Sequence, residues 1–280
     1  MNLAGKNHQI IPTTNAIAVI PARFASTRLP GKALIDIAGK PMVCWVAERA
    51  RAARNVSRVI VATDSDAIFN AAQNHGIEAV MTDPNHASGT DRIAEVVKNL
   101  PEAEIVVNVQ GDEPLISPAT IERAVETMSR ETVAGIVTTW EPIESIDELL
   151  NFDVVKVVVD DQGYAIYFSR SPMPFPRDAS LKHGGPNEAV VNEPGLISHF
   201  RKHTGLYVYR RDVLLQFTGW PQTTLERFER LEQLRALEHG IKIRVIQAST
   251  TSIGVDSPDD LEKVRALVSE GKFEVSRGVA

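Results

Sequence analysis

Short apolar runs alternate with amphipathic stretches along the first half of the chain. The apolar runs occupy residues 16–20, 58–63, 78–81 and 105–109. Between them, apolar residues recur at helical spacing over 41–53, 67–75, 88–99 and 117–129. Strands that alternate with helices of about ten residues are typical of a parallel sheet. We therefore predict an α/β fold in which a mostly parallel sheet carries helices on both faces.

The pattern changes after residue 134. Further strands are predicted at 136–139, 154–159, 164–169, 205–210 and 242–247. Residues 171–195 are rich in Pro and Gly and lack periodicity, which predicts a long loop. A capping box at Thr223 opens a helix predicted to run to about residue 238, and Ser257 and Pro258 open the last helix.

These patterns predict one domain over residues 16–280, with an inserted β-rich subdomain at about 140–210. Residues 1–15 are polar, contain no signal-peptide core and are expected to form a disordered tail. No apolar run approaches the roughly 18 residues of a membrane span. The single cysteine, Cys44, lies in an apolar stretch and is expected to pack as a small hydrophobic residue. A reducing, cytoplasmic compartment without membrane contact is the expected location.

The charge of the chain argues against nucleic acid as a partner. Thirty Lys and Arg residues against 36 Asp and Glu give a net charge of −6. Against this acidic background, the loop after the first apolar run carries Arg23, Arg28 and Lys32 and no acid. A cationic loop at the carboxyl end of a parallel strand suits a polyphosphate, although a solvated basic turn has the same composition. Neither a Walker A loop nor a G-x-G-x-x-G fingerprint is present.

Two acidic residues stand where parallel strands or helices begin or end. Asp112 follows the apolar run 105–109 and can bind Mg²⁺, although an acid in a turn is often only solvated. Asp256 precedes the last helix, whose start is already explained by Ser257 and Pro258. Asp256 is therefore available for another role.

Several polar residues of other segments have an ordinary structural explanation. Ser88 and Asp91 fit a capping box. Arg170, His203 and Tyr207 are of types found on surfaces and half-buried strands. Four residues of the predicted helix over 223–238 are expected on one polar, normally solvated face: Glu226, Glu229, Arg230 and Gln233.

From about residue 16 to about residue 267 the chain resembles the 3-deoxy-manno-octulosonate (Kdo) cytidylyltransferase family. The resemblance rests on S-T-R-L-P-G-K at 26–32, H-A-S-G-T-D-R at 86–92, Q-G-D-E-P at 110–114, F-S-R at 168–170, K-H-T-G-L-Y at 202–207, L-E-Q-L-R at 231–235 and G-V-D-S-P-D-D at 254–260. The chain departs from the family pattern at Asp91, where Glu is usual, and at Lys202, where Arg is expected.

The resemblance implies a nucleotidyltransferase of Rossmann-like fold that activates Kdo with CTP for lipopolysaccharide synthesis. The implied nucleotide-binding residues are Arg23, Ser26, Arg28, Lys32, Ser88 and Arg92. The implied Kdo-binding residues are Gln110, Arg170, His203, Tyr207 and Gln233. It also implies one Mg²⁺ held by Asp112 and Asp256, which with Arg23 and Lys32 form the expected catalytic set. A role for His86 stays open.

The resemblance further implies a homodimer formed through the inserted subdomain, which would also bind the sugar. Two alternatives remain at this level. One is the same chemistry on an amino analogue of Kdo or another sugar acid. The other is a nucleotide-sensing module without catalysis, although a sensor has no need of two aspartates aligned on a metal.

Overall fold

The structure is a computed structural model that describes residues 15–25 and 29–271. The predicted tail therefore lies outside the described residues except for Asn15. The strands are β1 Ala16–Ala22, β2 Asp36–Ile37, β3 Lys40–Pro41, β4 Val56–Thr63, β5 Glu78–Met81, β6 Ile105–Asn108, β7 Ile136–Pro142, β8 Lys156–Val159, β9 Ala165–Ser169, β10 Arg201–Arg210 and β11 Ile243–Gln247. The α-helices are α1 Met42–Arg51, α2 Asp66–Asn74, α3 Gly89–Lys98, α4 Pro118–Arg130, α5 Ile146–Leu150, α6 Arg177–His183, α7 Pro186–Asn192, α8 Arg211–Phe217, α9 Thr224–Glu229, α10 Gln233–Glu238 and α11 Pro258–Ser269. Short 3₁₀ segments lie at Lys32–Leu34 and Pro194–His199.

One mixed sheet organises the described chain. Its strand order is β11-β7-β10-β6-β1-β4-β5, and the hairpin of β8 and β9 joins it through β10. Strands β1, β4, β5 and β6 pair in parallel, as do β7 and β11. Strand β10 runs antiparallel to both β6 and β7 and thereby joins the two parallel groups.

Helices cover both faces of this sheet, as the sequence predicts. Alternate residues of β1 point to opposite faces. Ala18 and Ile20 pack in a core with α1, α2 and α4, whereas Ile17 and Val19 pack in a second core with α3, α8 and α10. Cys44 is fully buried in the first core, and burial raises the pKa of its thiol to about 11. The expectation that Cys44 packs as a small hydrophobic residue is confirmed.

Residues 143–200 leave the main sheet path and contain helices α5, α6 and α7 besides the β8–β9 hairpin. The expectation of a long loop over 171–195 is wrong, because helices α6 and α7 occupy it. Proline and glycine stand at helix boundaries there, with Pro186 in the first turn of α7 and Gly184 ending α6 in the left-handed conformation. Strand β10, at the end of the predicted insertion, belongs to the main sheet.

The helix predicted over 223–238 is two helices. Arg230 has φ of +58° and ends α9, and α10 begins three residues later. The predicted single polar face is therefore wrong. Glu226 is buried and pairs with Arg235, and Gln233 is buried at the start of α10. Over the described residues, no helix is long and apolar enough to span a bilayer.

Candidate active site

Three adjoining cavities form a cleft along the carboxyl ends of β1 and β6. The proximal cavity, of about 390 Å³, is lined by residues that follow β1 and precede α3, among them Arg23, Lys32 and Ser88. The central cavity, of about 400 Å³, lies between β6, β10 and the start of α10. The distal cavity, of about 410 Å³, extends along β10. Asp256 lines all three cavities, so they form one continuous cleft.

Lys32, Asp112 and Asp256 meet where the proximal and central cavities join. The Lys32 Nζ atom lies 2.7 Å from Asp112 Oδ2 and 2.9 Å from Asp256 Oδ1. The three residues come from the segments after β1, after β6 and before α11. The structure thus brings together the predicted catalytic aspartates and one predicted nucleotide-binding cation.

Local backbone geometry holds both aspartates in place. The Val255 N–H donates to the Asp112 carbonyl oxygen at 2.9 Å, which joins the two acidic segments. A Cβ on Gly111 would lie 3.0 Å from the Pro21 carbonyl oxygen, so glycine permits the loop after β6 to approach the end of β1. Ser257 caps α11 as predicted, and it forms a capping box with Asp260. Asp256 is therefore not needed to start that helix.

Ser88 and Arg92 line the proximal cavity from α3. Ser88 caps the helix, since its Oγ accepts the Asp91 N–H at 3.2 Å. Arg92 is buried, and its guanidinium donates to Thr82 Oγ1 and, at 2.7 Å, to Asp64 Oδ2. This side chain fixes the cavity wall. His86 pairs with Glu95 in the same wall.

Arg23 is exposed at the mouth of the proximal cavity. Ser26 and Arg28 lie outside the described residues. Gln110 faces the proximal and central cavities, and its Nε2 donates to Asn108 Oδ1 at 2.9 Å. Gln110 therefore lies between the two cavities.

His203, Tyr207 and Gln233 line the distal part of the cleft. Thr138 Oγ1 donates to the Leu206 carbonyl at 2.7 Å and therefore accepts from His203 Nε2 at 2.9 Å. Burial lowers the pKa of His203 to about 3, and burial raises the pKa of Tyr207 well above its usual range. These side chains present neutral hydrogen-bonding groups.

Arg170 does not line any of the three cavities. Its Nε donates to the Glu229 carbonyl at 2.8 Å and its Nη1 to the Phe152 carbonyl at 2.9 Å. Beside it, buried Lys156 donates to the Arg170 carbonyl at 3.1 Å. These contacts tie the β8–β9 hairpin to the end of α9. They are the contacts of a structural residue.

Sequence reasoning gave no role to Glu232 or Glu113, although both stand inside motifs that it singled out. Glu232 lines the proximal and central cavities and accepts the Thr90 hydroxyl at 2.7 Å, and burial raises the pKa of its carboxyl. Glu113 is half-buried at the boundary of the central and distal cavities, where burial, Asp112 and Glu141 raise its pKa to about 8. In the sequence, Glu232 precedes Gln233 and Glu113 follows Asp112, and this adjacency was the available sign that both could line the site.

The acidic pair fits a hard divalent cation. Two carboxylates from separate segments already converge on one positive group, the Lys32 ammonium. Mg²⁺ characteristically takes one or two carboxylates and completes its octahedron with water and substrate phosphates. Among the described residues, no group of three or more His, Cys, Asp or Glu side chains forms a closed metal site. An open site that shares its metal with a substrate matches this donor set.

Comparison with known proteins decides the family. The family model described as Cytidylyltransferase matches residues 17–243. The 3-deoxy-manno-octulosonate cytidylyltransferase of Geobacter sulfurreducens is 52% identical over 250 residues, which cover 89% of this chain and 98% of the relative. This chain belongs to the cytidylyltransferase family. The enzyme of the same description from Trichlorobacter lovleyi is 50% identical and covers 91% of this chain and 99% of its own.

Solved structures agree with this assignment. A CMP:2-keto-3-deoxy-manno-octonic acid synthetase complexed with CTP superposes with a TM-score of 0.82 at 42% identity, covering 92% of this chain and 99% of the other. A 4-diphosphocytidyl-2C-methyl-D-erythritol synthase from Anaerococcus prevotii has a TM-score of 0.59 at 13% identity, with 92% and 98% covered. The second likeness shows the fold alone. The enzyme is thus a nucleotidyltransferase with the expected α/β architecture.

Proposed function

We propose that this enzyme transfers the cytidylyl group of CTP to Kdo, giving CMP-Kdo and pyrophosphate for lipopolysaccharide synthesis. The observation that carries the proposal is the convergence of Asp112 and Asp256 on one cation. The two aspartates lie between a cavity lined by Arg23 and Lys32 and one lined by His203, Tyr207 and Gln233. Relatives about half identical over nine-tenths of the chain support Kdo as the acceptor.

The proximal cavity is the proposed CTP site. Arg23 and Lys32 supply positive charge there, and the resemblance adds Ser26 and Arg28 from the same loop. Ser88 and Arg92 form the wall behind it, with the Arg92 guanidinium held by Asp64. A triphosphate needs this density of cations, because charge-assisted hydrogen bonds offset the loss of its hydration.

The central and distal cavities are the proposed Kdo site. Gln110, His203, Tyr207 and Gln233 offer neutral hydrogen-bonding groups suited to the hydroxyls of a sugar. Gly205 provides room for them, since a Cβ there would lie 3.0 Å from Gln110 Cγ and 3.1 Å from Glu113 Oε1. The proposed role of Arg170 in binding the sugar carboxylate competes with its observed backbone contacts.

In the proposed reaction a Kdo hydroxyl attacks the α-phosphorus of CTP, loses its proton and displaces pyrophosphate. The cleft aligns the two substrates on either side of Asp112 and Asp256, and alignment supplies much of the rate enhancement in such transfers. A Mg²⁺ ion held by these aspartates would neutralise phosphate charge and make the attacking hydroxyl more acidic. Arg23 and Lys32 stabilise the charge that develops on the leaving pyrophosphate.

We also propose that the enzyme is a cytoplasmic homodimer that uses the segment 143–200. Large apolar side chains are exposed on that segment: Phe152, Phe175, Leu181 and Val191. Sedimentation velocity on the wild type and on a Leu181→Glu, Val191→Glu variant tests the assignment. A dimer that persists unchanged in the variant would move the interface elsewhere.

The activity is tested by pyrophosphate release and by chromatography of the nucleotide product. CTP with Kdo should give CMP-Kdo, with much lower turnover when UTP or ATP replaces CTP. Parallel reactions with an amino analogue of Kdo and with N-acetylneuraminate define the acceptor. Preference for the amino analogue would make that compound the acceptor in place of Kdo. CTP binding without pyrophosphate release would identify a nucleotide sensor.

A further inference from the structure

The contact between Lys32 and the two aspartates bears on how the metal enters the site. The Lys32 ammonium lies within 3 Å of a carboxylate oxygen of each residue, at 2.7 Å and 2.9 Å. The lysine side chain is only 14% exposed, whereas those of Asp112 and Asp256 are 37% and 52% exposed. The lysine side chain is therefore the least exposed of the three, and its ammonium contacts both acids.

A divalent cation bound by both carboxylates would compete with this ammonium. Lys32 Nζ contacts Asp112 Oδ2 and Asp256 Oδ1, so a metal ion bound by both carboxylates would lie within a few ångströms of the ammonium. At such a separation two like charges repel strongly in a partly buried site. The trio has a net charge of −1 with Lys32 in place. Adding a divalent ion without moving Lys32 would bring it to +1, so the lysine has to leave the acids as the metal arrives.

The proximal cavity provides the lysine with a second position. Lys32 has a flexible four-carbon side chain and lines that cavity together with Arg23. The phosphates of a nucleotide bound there would be the next available anions. The lysine can therefore move from acids to phosphates without losing an anionic partner.

We propose that Lys32 acts as an internal counter-ion that closes the acidic pair until a nucleotide is bound, so that free metal binds weakly and metal and triphosphate enter together. This inference rests on the proposed metal site of the cytidylyltransferase. It assigns Lys32 a second role, before catalysis, in addition to binding phosphate. The consequence is a site that resists occupation by metal alone.

The test measures Mn²⁺ binding to the nucleotide-free protein by electron paramagnetic resonance, which separates free from bound ion. Mn²⁺ takes the oxygen ligands that Mg²⁺ takes. Lys32→Met should bind Mn²⁺ about tenfold more tightly than the wild type, because a competing charge at contact distance has been removed. With CTP present, the wild type should bind Mn²⁺ as tightly as the variant does without it.

Arg23→Met is the matched control, since it removes a cation of the same cavity that is exposed at the mouth. It should leave Mn²⁺ binding to the nucleotide-free protein nearly unchanged. An equal gain in both variants would indicate a general effect of cavity charge and would overturn the proposal. If Lys32→Met does not fold, Lys32→Gln keeps a hydrogen-bond donor without the charge and should show the same gain.

The double variant Lys32→Met, Asp256→Asn separates this inference from the metal site on which it rests. Loss of the gain in the double variant supports both. No gain in Lys32→Met, with Mn²⁺ binding in the presence of CTP still dependent on Asp256, would overturn the counter-ion role and leave the metal site intact. A gain that persists without Asp256 would place the ion elsewhere and overturn both.

Discussion

The two ends of the cleft differ in the side chains that they present. At the proximal end, Arg23 is exposed and Lys32 is held by two carboxylates, so the functional groups are charged and able to exchange partners. At the distal end, His203 and Gln233 are enclosed and neutral, and His203 is fixed by Thr138. Under the proposed assignment, the nucleotide is bound by rearranging charge and the sugar by fitting a preformed set of hydrogen bonds.

The strongest test of this comparison removes the group at the junction. Asp256→Asn should lower turnover at least about a hundredfold, because it removes one of the two carboxylates of the proposed metal site. Pyrophosphate release measures the effect, and a thermal melt checks the fold. Asp259→Asn changes an exposed acid in the first turn of α11 and should retain activity. Near wild-type turnover of Asp256→Asn at low Mg²⁺ would remove Asp256 from the metal site.

A second test asks whether Arg170 stabilises the fold or binds Kdo. Its guanidinium donates to two backbone carbonyls, so Arg170→Ala should lower the free energy of unfolding by about 1.5–3 kcal/mol while the KM for Kdo changes little. Thermal or urea unfolding and Kdo titrations measure the two quantities. Arg177→Ala removes an exposed arginine of α6 as a control. A tenfold higher KM with unchanged stability would restore Arg170 as the reader of the sugar carboxylate.

A third test uses the pH dependence of stability to examine His203 at the distal end of the cleft. Burial lowers the pKa of His203 from 6.5 to about 3, so between these values the unfolded chain binds a proton that the folded chain does not. The contribution of His203 to stability is therefore lost as pH falls below about 6.5, by about 1 kcal/mol at pH 5.5, while the raised pKa of Glu113 contributes the opposite sign. Between pH 7.5 and pH 5.5, the melting temperature of His203→Gln should therefore rise relative to that of the wild type. His75→Gln, at an exposed histidine, should behave like the wild type.

The smallest effect should come from Gln233. Gln233→Ala should raise the KM for Kdo by the loss of one neutral hydrogen bond, about 0.5–1.5 kcal/mol, and leave CTP affinity unchanged. Arg23→Ala should have the opposite pattern. It should weaken CTP binding, measured by calorimetry, and leave the KM for Kdo unchanged. If each variant weakened the binding of CTP and of Kdo equally, the cleft would not divide into a nucleotide half and a sugar half.

The sequence predicted the parallel core well because its strands and helices are decided locally. The apolar runs at 58–63 and 78–81 and the capping residues Ser88 and Ser257 correspond closely to β4, β5 and the starts of α3 and α11. Local rules did not reveal the break at Arg230, which requires φ of +58° in a residue that rarely adopts it. Tertiary packing of the buried Glu226–Arg235 pair accompanies that break.

The same distinction applies to the site. Motif resemblance named Lys32, Asp112 and Asp256, and the structure brings them into contact. It could not reveal that the lysine lies between the acids, because that position depends on three segments meeting at one point. Nor could spacing reveal that Arg170 contacts the backbone at Phe152 and Glu229, since those contacts span 18 and 59 residues of sequence.

The position of β10 has a consequence for the synthesis of the chain. Strand β10 lies between β6 and β7 in the sheet, and the other neighbour of β7 is β11. A nascent chain therefore completes β6 and β7 long before their shared partner leaves the ribosome. During that interval the edge of β6 is open and β7 has no neighbour in the sheet, which are conditions that favour aggregation. We expect a chain truncated before residue 201 to accumulate in the insoluble fraction, and one that includes β10 and β11 to remain dispersed.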